Sequence, residues 1–145
     1  MKPAVHFLLA IFVGLILAGC SSGELPGGPR LETTPVSGII HVDGAPAEFI
    51  EVECHPAPDS TGIKYPILTT TDKDGMFVLT TYESSDGLPE GNYTLTFKWL
   101  EPALVAKDKF KGAYANPQKS QQKISVVRGV ETAIGVIELS SKGSK

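Results

Sequence analysis

Gly91-Asn92-Tyr93-Thr94-Leu95-Thr96-Phe97-Lys98-Trp99 is the stretch on which the fold turns. Tyr93, Leu95, Phe97 and Trp99 take every second position, and Asn92, Thr94, Thr96 and Lys98 take those between. Successive side chains of a strand point to opposite faces, so this is a strand with one apolar and one polar face. It follows a turn signal, Gly87-Leu88-Pro89-Glu90-Gly91. The ring of Tyr93 is expected in a core, with its hydroxyl pinning the turn as a tyrosine corner does. Trp99, at the end of the same face, is expected in the core as well.

The same period of two recurs on both sides, and no long helical stripe appears. Val36, Gly38, Ile40 and Val42 form one face of a first strand, closed by the turn Asp43-Gly44. Ile50, Val52 and Cys54 alternate with Glu51, Glu53 and His55, and Pro56 and Pro58 end that strand. Ile67–Thr71 is β-branched and reads as a strand, and Asp72-Lys73-Asp74-Gly75 turns into Met76–Thr80. Ile124 and Val126 make a further strand, Gly129 turns the chain, and Ala133–Leu139 closes it. About seven short strands between Gly and Pro turns predict an all-β fold, an antiparallel Greek-key β-sandwich.

Upstream of this domain the pattern changes. Lys2 precedes an apolar run from Phe7 to Ala18, within the range of a signal-peptide core and short for a membrane span. Leu17-Ala18-Gly19-Cys20 closes it and resembles the lipobox of bacterial lipoproteins, which implies acylation of Cys20 as the new N-terminus. Ser21, rather than Asp, follows the cysteine; by resemblance to known sorting patterns this favours the outer membrane in a host with two. The expected organisation is a signal peptide at 1–19, a Gly/Pro/Ser-rich tether at 20–33, the sandwich at 34–140 and a polar tail at 141–145. With Cys20 carrying lipid, Cys54 is left as a lone thiol, which its strand face buries. A net charge of −3 argues against nucleic acid as a partner.

Chemistry-bearing residues are few. Asp72-Lys73-Asp74-Gly75 offers carboxylates, but calcium needs six to eight oxygens, and a hairpin turn accounts for the pattern. Cys54 and His55 are adjacent on a strand and therefore point apart, which defeats a nucleophile–base pair. His6 leaves with the signal, so His41 and His55 alone remain, too few for a His-rich zinc site, and no cofactor or metal is expected. No G-x-S-x-G elbow occurs within residues 34–140.

The segment 101–122 breaks the strand rhythm and reads as a long ordered loop with one short helical turn near Ala106–Phe110. Lys107, Lys109 and Lys111, together with Tyr114 and the loop residue Tyr82, form the candidate contact surface. Its lysines suit an anionic partner such as acidic polysaccharide or lipid headgroups.

Several turn motifs together resemble a known family. They are Val36-Ser37-Gly38, Val42-Asp43-Gly44-Ala45-Pro46, Thr71–Phe77, Leu88-Pro89-Glu90-Gly91-Asn92-Tyr93 and Lys111-Gly112-Ala113-Tyr114-Ala115-Asn116-Pro117. The chain resembles the carboxypeptidase regulatory-like domain, and more specifically small lipoproteins of planctomycete-type bacteria. The resemblance implies a transthyretin/prealbumin-like or Ig-like sandwich, and it brings no catalytic residues. Transthyretin-like hydrolases use His and Arg residues and a C-terminal Tyr-Arg-Gly-Ser. This chain ends Ser141-Lys142-Gly143-Ser144-Lys145 and has Arg30 and Arg128 as its arginines.

From sequence, the expectation is therefore a non-enzymatic, lipid-anchored sandwich of the cell envelope with a structural or binding role. Its partners would be the membrane, through lipid on Cys20, and an envelope protein or anionic polysaccharide. An accessory subunit of a membrane-bound enzyme or transporter is the alternative. A carbohydrate-binding module is a further one, although no row of aromatics for stacking sugars is present.

Overall fold

A computed structural model describes residues 30–58 and 62–143. The chain divides into two units, Met1–Arg30 and Leu31–Lys145, and the sandwich is the second. The expected signal peptide, the lipobox-like stretch with Cys20, most of the expected tether and the last two residues lie outside the described residues.

Among the described residues ten strands succeed one another: β1 (Thr33–Thr34), β2 (Val36–Val42), β3 (Ala45–Pro46), β4 (Ile50–Pro56), β5 (Ile67–Thr70), β6 (Met76–Val78), β7 (Leu88–Pro89), β8 (Gly91–Trp99), β9 (Lys123–Val126) and β10 (Thr132–Leu139). Seven of them are longer than two residues, and these are the strands that the alternation predicts. The three short ones pair through so few residues that no periodicity can announce them.

One sheet has the order β5-β4-β8-β9. The other is built on β2, with β10 on one edge and β3 and β6 sharing the opposite one. β1 and β7 form a separate two-stranded ribbon. Pairing is antiparallel except between β10 and β2, which run parallel (Ile137 beside Ile40, Leu139 beside Val42). The exception arises because the chain leaves one sheet after β9 and crosses the end of the sandwich before β10. A strand that enters its sheet by a crossover need not oppose its neighbour.

The inner faces meet in one core. Val36, Ile40 and Val42 of β2, Phe77 of β6, and Ile137 and Leu139 of β10 face Ile50, Val52 and Cys54 of β4, Tyr93, Leu95 and Phe97 of β8, and Val126 of β9. Each large side chain so buried contributes about 1.5–3 kcal/mol relative to exposure. Gly38 sits in the β2 stripe because a Cβ there would lie 2.6 Å from the Phe77 ring. Tyr93 is buried and its hydroxyl donates to the Pro89 carbonyl at 2.8 Å, as a tyrosine corner requires. Trp99 is half-buried: its ring packs against the core, and its indole N–H donates to the Glu48 carbonyl at 3.1 Å.

Buried polar groups are matched. Thr71 Oγ1 donates to the Ala47 carbonyl (2.7 Å) and accepts the Ile50 N–H (2.9 Å), tying the start of β4 to the end of β5. No buried side-chain nitrogen or oxygen among the described residues lacks a partner. The segment 72–75 is a turn: one Asp72 carboxylate oxygen accepts the N–H groups of Asp74 and Met76, each at 2.9 Å. Gly75 has φ +73°, and a Cβ on it would meet the Ile40 carbonyl at 2.4 Å. Gly75→Val is accordingly expected to cost at least about 2 kcal/mol in urea denaturation. EDTA should leave the melting temperature of the native protein unchanged, because Asp72 is engaged with backbone amides.

Candidate contact surface

β8 is nine residues long, but β9 pairs only with Gly91–Thr94. The rest of its edge would present unpaired N–H and C=O groups. The 101–122 loop covers them. Leu95 N–H donates to the Gln122 carbonyl (2.8 Å), and Ser120 Oγ–H donates to the Leu95 carbonyl (2.5 Å). Phe97 N–H donates to the Tyr114 carbonyl (3.1 Å), and Lys109 N–H donates to the Trp99 carbonyl (3.0 Å).

Asp108 clasps the loop. Its carboxylate accepts the N–H groups of Trp99 (2.9 Å), Phe110 (2.9 Å) and Gly112 (2.8 Å). The amides two and four residues ahead are the same pair that Asp72 caps in its own turn, and here a third comes from across the sheet. Phe110 is the loop's apolar plug: it is buried, tilted against Trp99 at 5.6 Å between ring centroids and edge-on to Tyr114 at 4.9 Å. The helical turn expected near Ala106–Phe110 is absent. Successive hydrogen-bonded turns start at Asp108 instead, because its carboxylate takes the amides that a helix would direct to carbonyls.

Lys107, Lys109 and Lys111 are all exposed. The ammonium of Lys109 lies 4.3 Å from the Trp99 ring centroid and bonds to Glu101. Lys111 adopts φ +54° at the neck of the loop. Tyr114 is turned inward: its ring packs against the core, and its hydroxyl accepts the Ser140 N–H at 3.0 Å. Tyr82 lies in the loop that precedes β7 and β8, while the lysines lie in the loop that follows β8. A nine-residue strand, roughly 27 Å long, separates the two. Tyr82 is held by its neighbours, since Asp86 accepts its N–H (2.9 Å) and its hydroxyl accepts the Leu31 N–H (3.2 Å). The structure thus brings together the three lysines and leaves both tyrosines out of their exposed surface.

Two features escape sequence reasoning. One is a cleft of about 360 Å³ between the loop and β10, lined by Tyr114, Asn116, Lys119, Gln122 and Glu138 among others. The other is a polar ladder on the outer face of β4 and β8. Lys98 Nζ bridges Glu53 (2.6 Å) and Glu51 (3.2 Å), and Thr96 Oγ1 meets His55 Nε2 at 2.9 Å. Partial burial pushes the Glu53 carboxyl up, but the Lys98 hydrogen bond and the charges of Lys98 and His55 outweigh it and hold Glu53 below the usual carboxylate range. The hydrogen bond to Glu53 in turn raises Lys98, against its own burial. The E-x-E-x-H alternation of β4 was visible, but its partner Lys98 belongs to a strand far along the chain.

His41 stands on the outer face of the other sheet, 3.8 Å from Glu138, so the two described histidines do not share a site. No group of three metal-ligating side chains gathers among the described residues. Cys54 is fully buried, and burial pushes its thiol up to about 12. It faces the core while His55 faces outward, as alternation predicts.

Comparison with known proteins places the sandwich beside several enzymes. No family model and no curated protein matches the chain. Among solved structures it is similar to the 5-hydroxyisourate hydrolase of Klebsiella pneumoniae, a transthyretin-like fold: 19% identity, TM-score 0.43, covering 72% of this chain and 90% of that one. It is also similar to the dioxygenase domain of a dioxygenase carbohydrate-binding protein fusion from Streptomyces sp. SirexAA-E: 17% identity, TM-score 0.40, with coverages of 79% and 84%. An (S)-allantoin synthase matches at 17% identity and TM-score 0.38, covering 77% of this chain and 43% of that one, so the chain spans less than half of it. The β-sandwich class rests on the two sheets and their shared core; these likenesses agree with it and carry no activity across.

They do correct one expectation. The sequence pattern pointed away from an enzyme, yet the solved structures to which the chain is similar include a hydrolase, a dioxygenase domain and a synthase. A sandwich is a scaffold on which different loops build different sites, so strand rhythm and the lack of one C-terminal motif do not exclude catalysis.

Asp108→Ala is expected to cost about 2–3 kcal/mol and to speed amide exchange at Trp99, Phe110 and Gly112, with β4 amides unaffected. Cys54 supplies a pH test. Below its ordinary value of 9.0 both folded and unfolded chains keep the thiol proton. Between 9.0 and about 12 only the folded chain keeps it, so stability should fall over that window. Cys54→Val should flatten the decline measured by denaturant titration, and thiol reagents should reach Cys54 only on unfolding.

Proposed function

We propose that this protein is a lipid-anchored β-sandwich of the cell envelope with a binding role. The observation that carries the reading is Leu17-Ala18-Gly19-Cys20 at the end of a short apolar run. Acyl chains on Cys20 would hold the protein to a membrane, the outer one in a host with two. Each buried methylene contributes about 0.8 kcal/mol, so more than one chain is needed for firm attachment. Among the described residues no helix is long and apolar enough to cross a membrane.

The binding role falls to the 101–122 loop. Lys107 and Lys111 are exposed on a segment that Asp108 and Phe110 hold in place, so little ordering would be needed when a partner binds. The partner class is an anionic component of the envelope, attracted by charges that salt screens.

Intact mass of protein extracted from membranes tests the anchor: the chain should begin at Cys20 and carry acyl groups, and Cys20→Ser should abolish both. An unmodified thiol at Cys20 in the mature protein would overturn it. For the binding role, a soluble acidic polysaccharide should bind at low salt and release as salt rises, and Lys107→Gln with Lys111→Gln should weaken it. Absence of binding at low salt, to this probe and to anionic vesicles alike, would sink the contact surface.

A further inference from the structure

The loop carries a second feature that its lysines do not explain. Pro102-Ala103-Leu104-Val105-Ala106 is an unbroken apolar run, and all five residues are exposed. Leu104 is 107% and Val105 74% exposed, whereas the apolar side chains on the inner faces of β2, β4 and β8 lie in the core. Apolar surface in water is unfavourable in proportion to its area, and adjacent exposed apolar residues mark a contact rather than packing.

The run stands on a fixed neck. Leu100 and Asp108 bridge at its base, the Asp108 carboxylate gathers three amides, and Phe110 is sunk in the core just beyond. The tip is therefore held out as a convex knob. On its C-terminal side basic residues outnumber acidic ones, Lys107, Lys109 and Lys111 against Asp108. Lys109 pairs with Glu101, and the Asp108 carboxylate is taken up by amides, while Lys107 and Lys111 make no ion pair among the described residues.

We infer that this tip docks the domain onto an anionic bilayer surface, with Leu104 and Val105 in the boundary between headgroups and acyl chains and Lys107 and Lys111 on headgroup phosphates. A fluid boundary accepts a convex apolar tip without a matching groove, and basic residues beside it add electrostatic attraction. The inference rests on the reading of this loop as a surface for an anionic envelope component, and it names that component. It also adds a contact distinct from the lipid on Cys20. The chain enters the sandwich at β1, whose Thr33 pairs with Pro89 just before β8, and the tip follows the other end of β8. Two weak attachments on one chain reinforce each other through effective concentration.

The test uses the full chain with Cys20→Ser, so that an environment-sensitive dye reaches only an introduced cysteine. Leu104→Cys places it at the tip, and Val127→Cys, another exposed site, serves as the control. With vesicles of phosphatidylcholine and phosphatidylglycerol, the dye at 104 should shift to the blue and be shielded from an aqueous quencher, while the dye at 127 should not. Val105→Asp should abolish the shift with the sheet signal in circular dichroism unchanged, since the residue lies outside the core. Lys107→Gln with Lys111→Gln should weaken the response roughly twenty-five-fold, at about fivefold per lysine. A dye at 104 that stays in water, or equal shielding at 127, overturns the inference. If acidic polysaccharide still binds in that case, the contact surface survives without the bilayer; if neither binds, both fall.

Discussion

The edge of β8 is the constraint on which the rest depends. A central strand must satisfy its backbone on both sides, and β4 supplies one side from Ile50 opposite Trp99 to Pro56 opposite Tyr93. β9 supplies only the first part of the other. Buried amides left bare along Leu95, Phe97 and Trp99 would cost several kcal/mol in total. The 101–122 loop exists in its present form because it covers that edge with hydrogen bonds from Gln122, Ser120, Tyr114 and Asp108. A segment that breaks the strand rhythm is thus still part of the sheet's hydrogen-bond network, and its surface residues are held in place as a result.

This has two structural consequences. The first is that order in the loop comes from its buried side, through Asp108, Phe110 and Tyr114, and leaves the outer side free to carry lysines and an apolar tip. Tyr114 reads as a surface aromatic from its place in a loop, but it belongs to the buried side. The second is polarity along β8. The chain enters the sandwich beside the beginning of this strand and the lysine-bearing loop leaves from its end, so the two lie apart along one strand. The outer ladder of Glu51, Glu53, His55, Thr96 and Lys98 lies between them. Cross-strand pairs of this kind contribute about 0.2–1 kcal/mol each, enough to help keep β4 and β8 in register.

A sandwich fold does not choose its chemistry. The exposed groups of this chain fall in one place: Lys107, Lys109, Lys111 and Lys119 and the apolar run Pro102–Ala106 share one loop, a polar cleft lies between that loop and β10, and the two described histidines lie on different sheets.

Much of the fold was legible in the sequence because burial in a sandwich imposes a period of two. Val36–Val42, Ile50–Cys54 and Tyr93–Trp99 could be assigned to a face by counting, and so could the opposite directions of Cys54 and His55. Turns were legible where a residue type is required locally, as at Asp72 and Gly75. The resemblance of Leu17-Ala18-Gly19-Cys20 to a lipobox likewise rests on a local pattern that needs no fold to be read. The parallel placement of β10 against β2 was decided only in three dimensions, as were the pairing of Lys98 with Glu51 and Glu53 and the third amide on Asp108. Each joins residues that are far apart in the chain, and alternation records which face a residue takes but not which strand lies beside it. The site was the least legible part for the same reason: whether a loop residue faces the core or water depends on the edge that the loop must cover, and that edge exists only once β8 is packed.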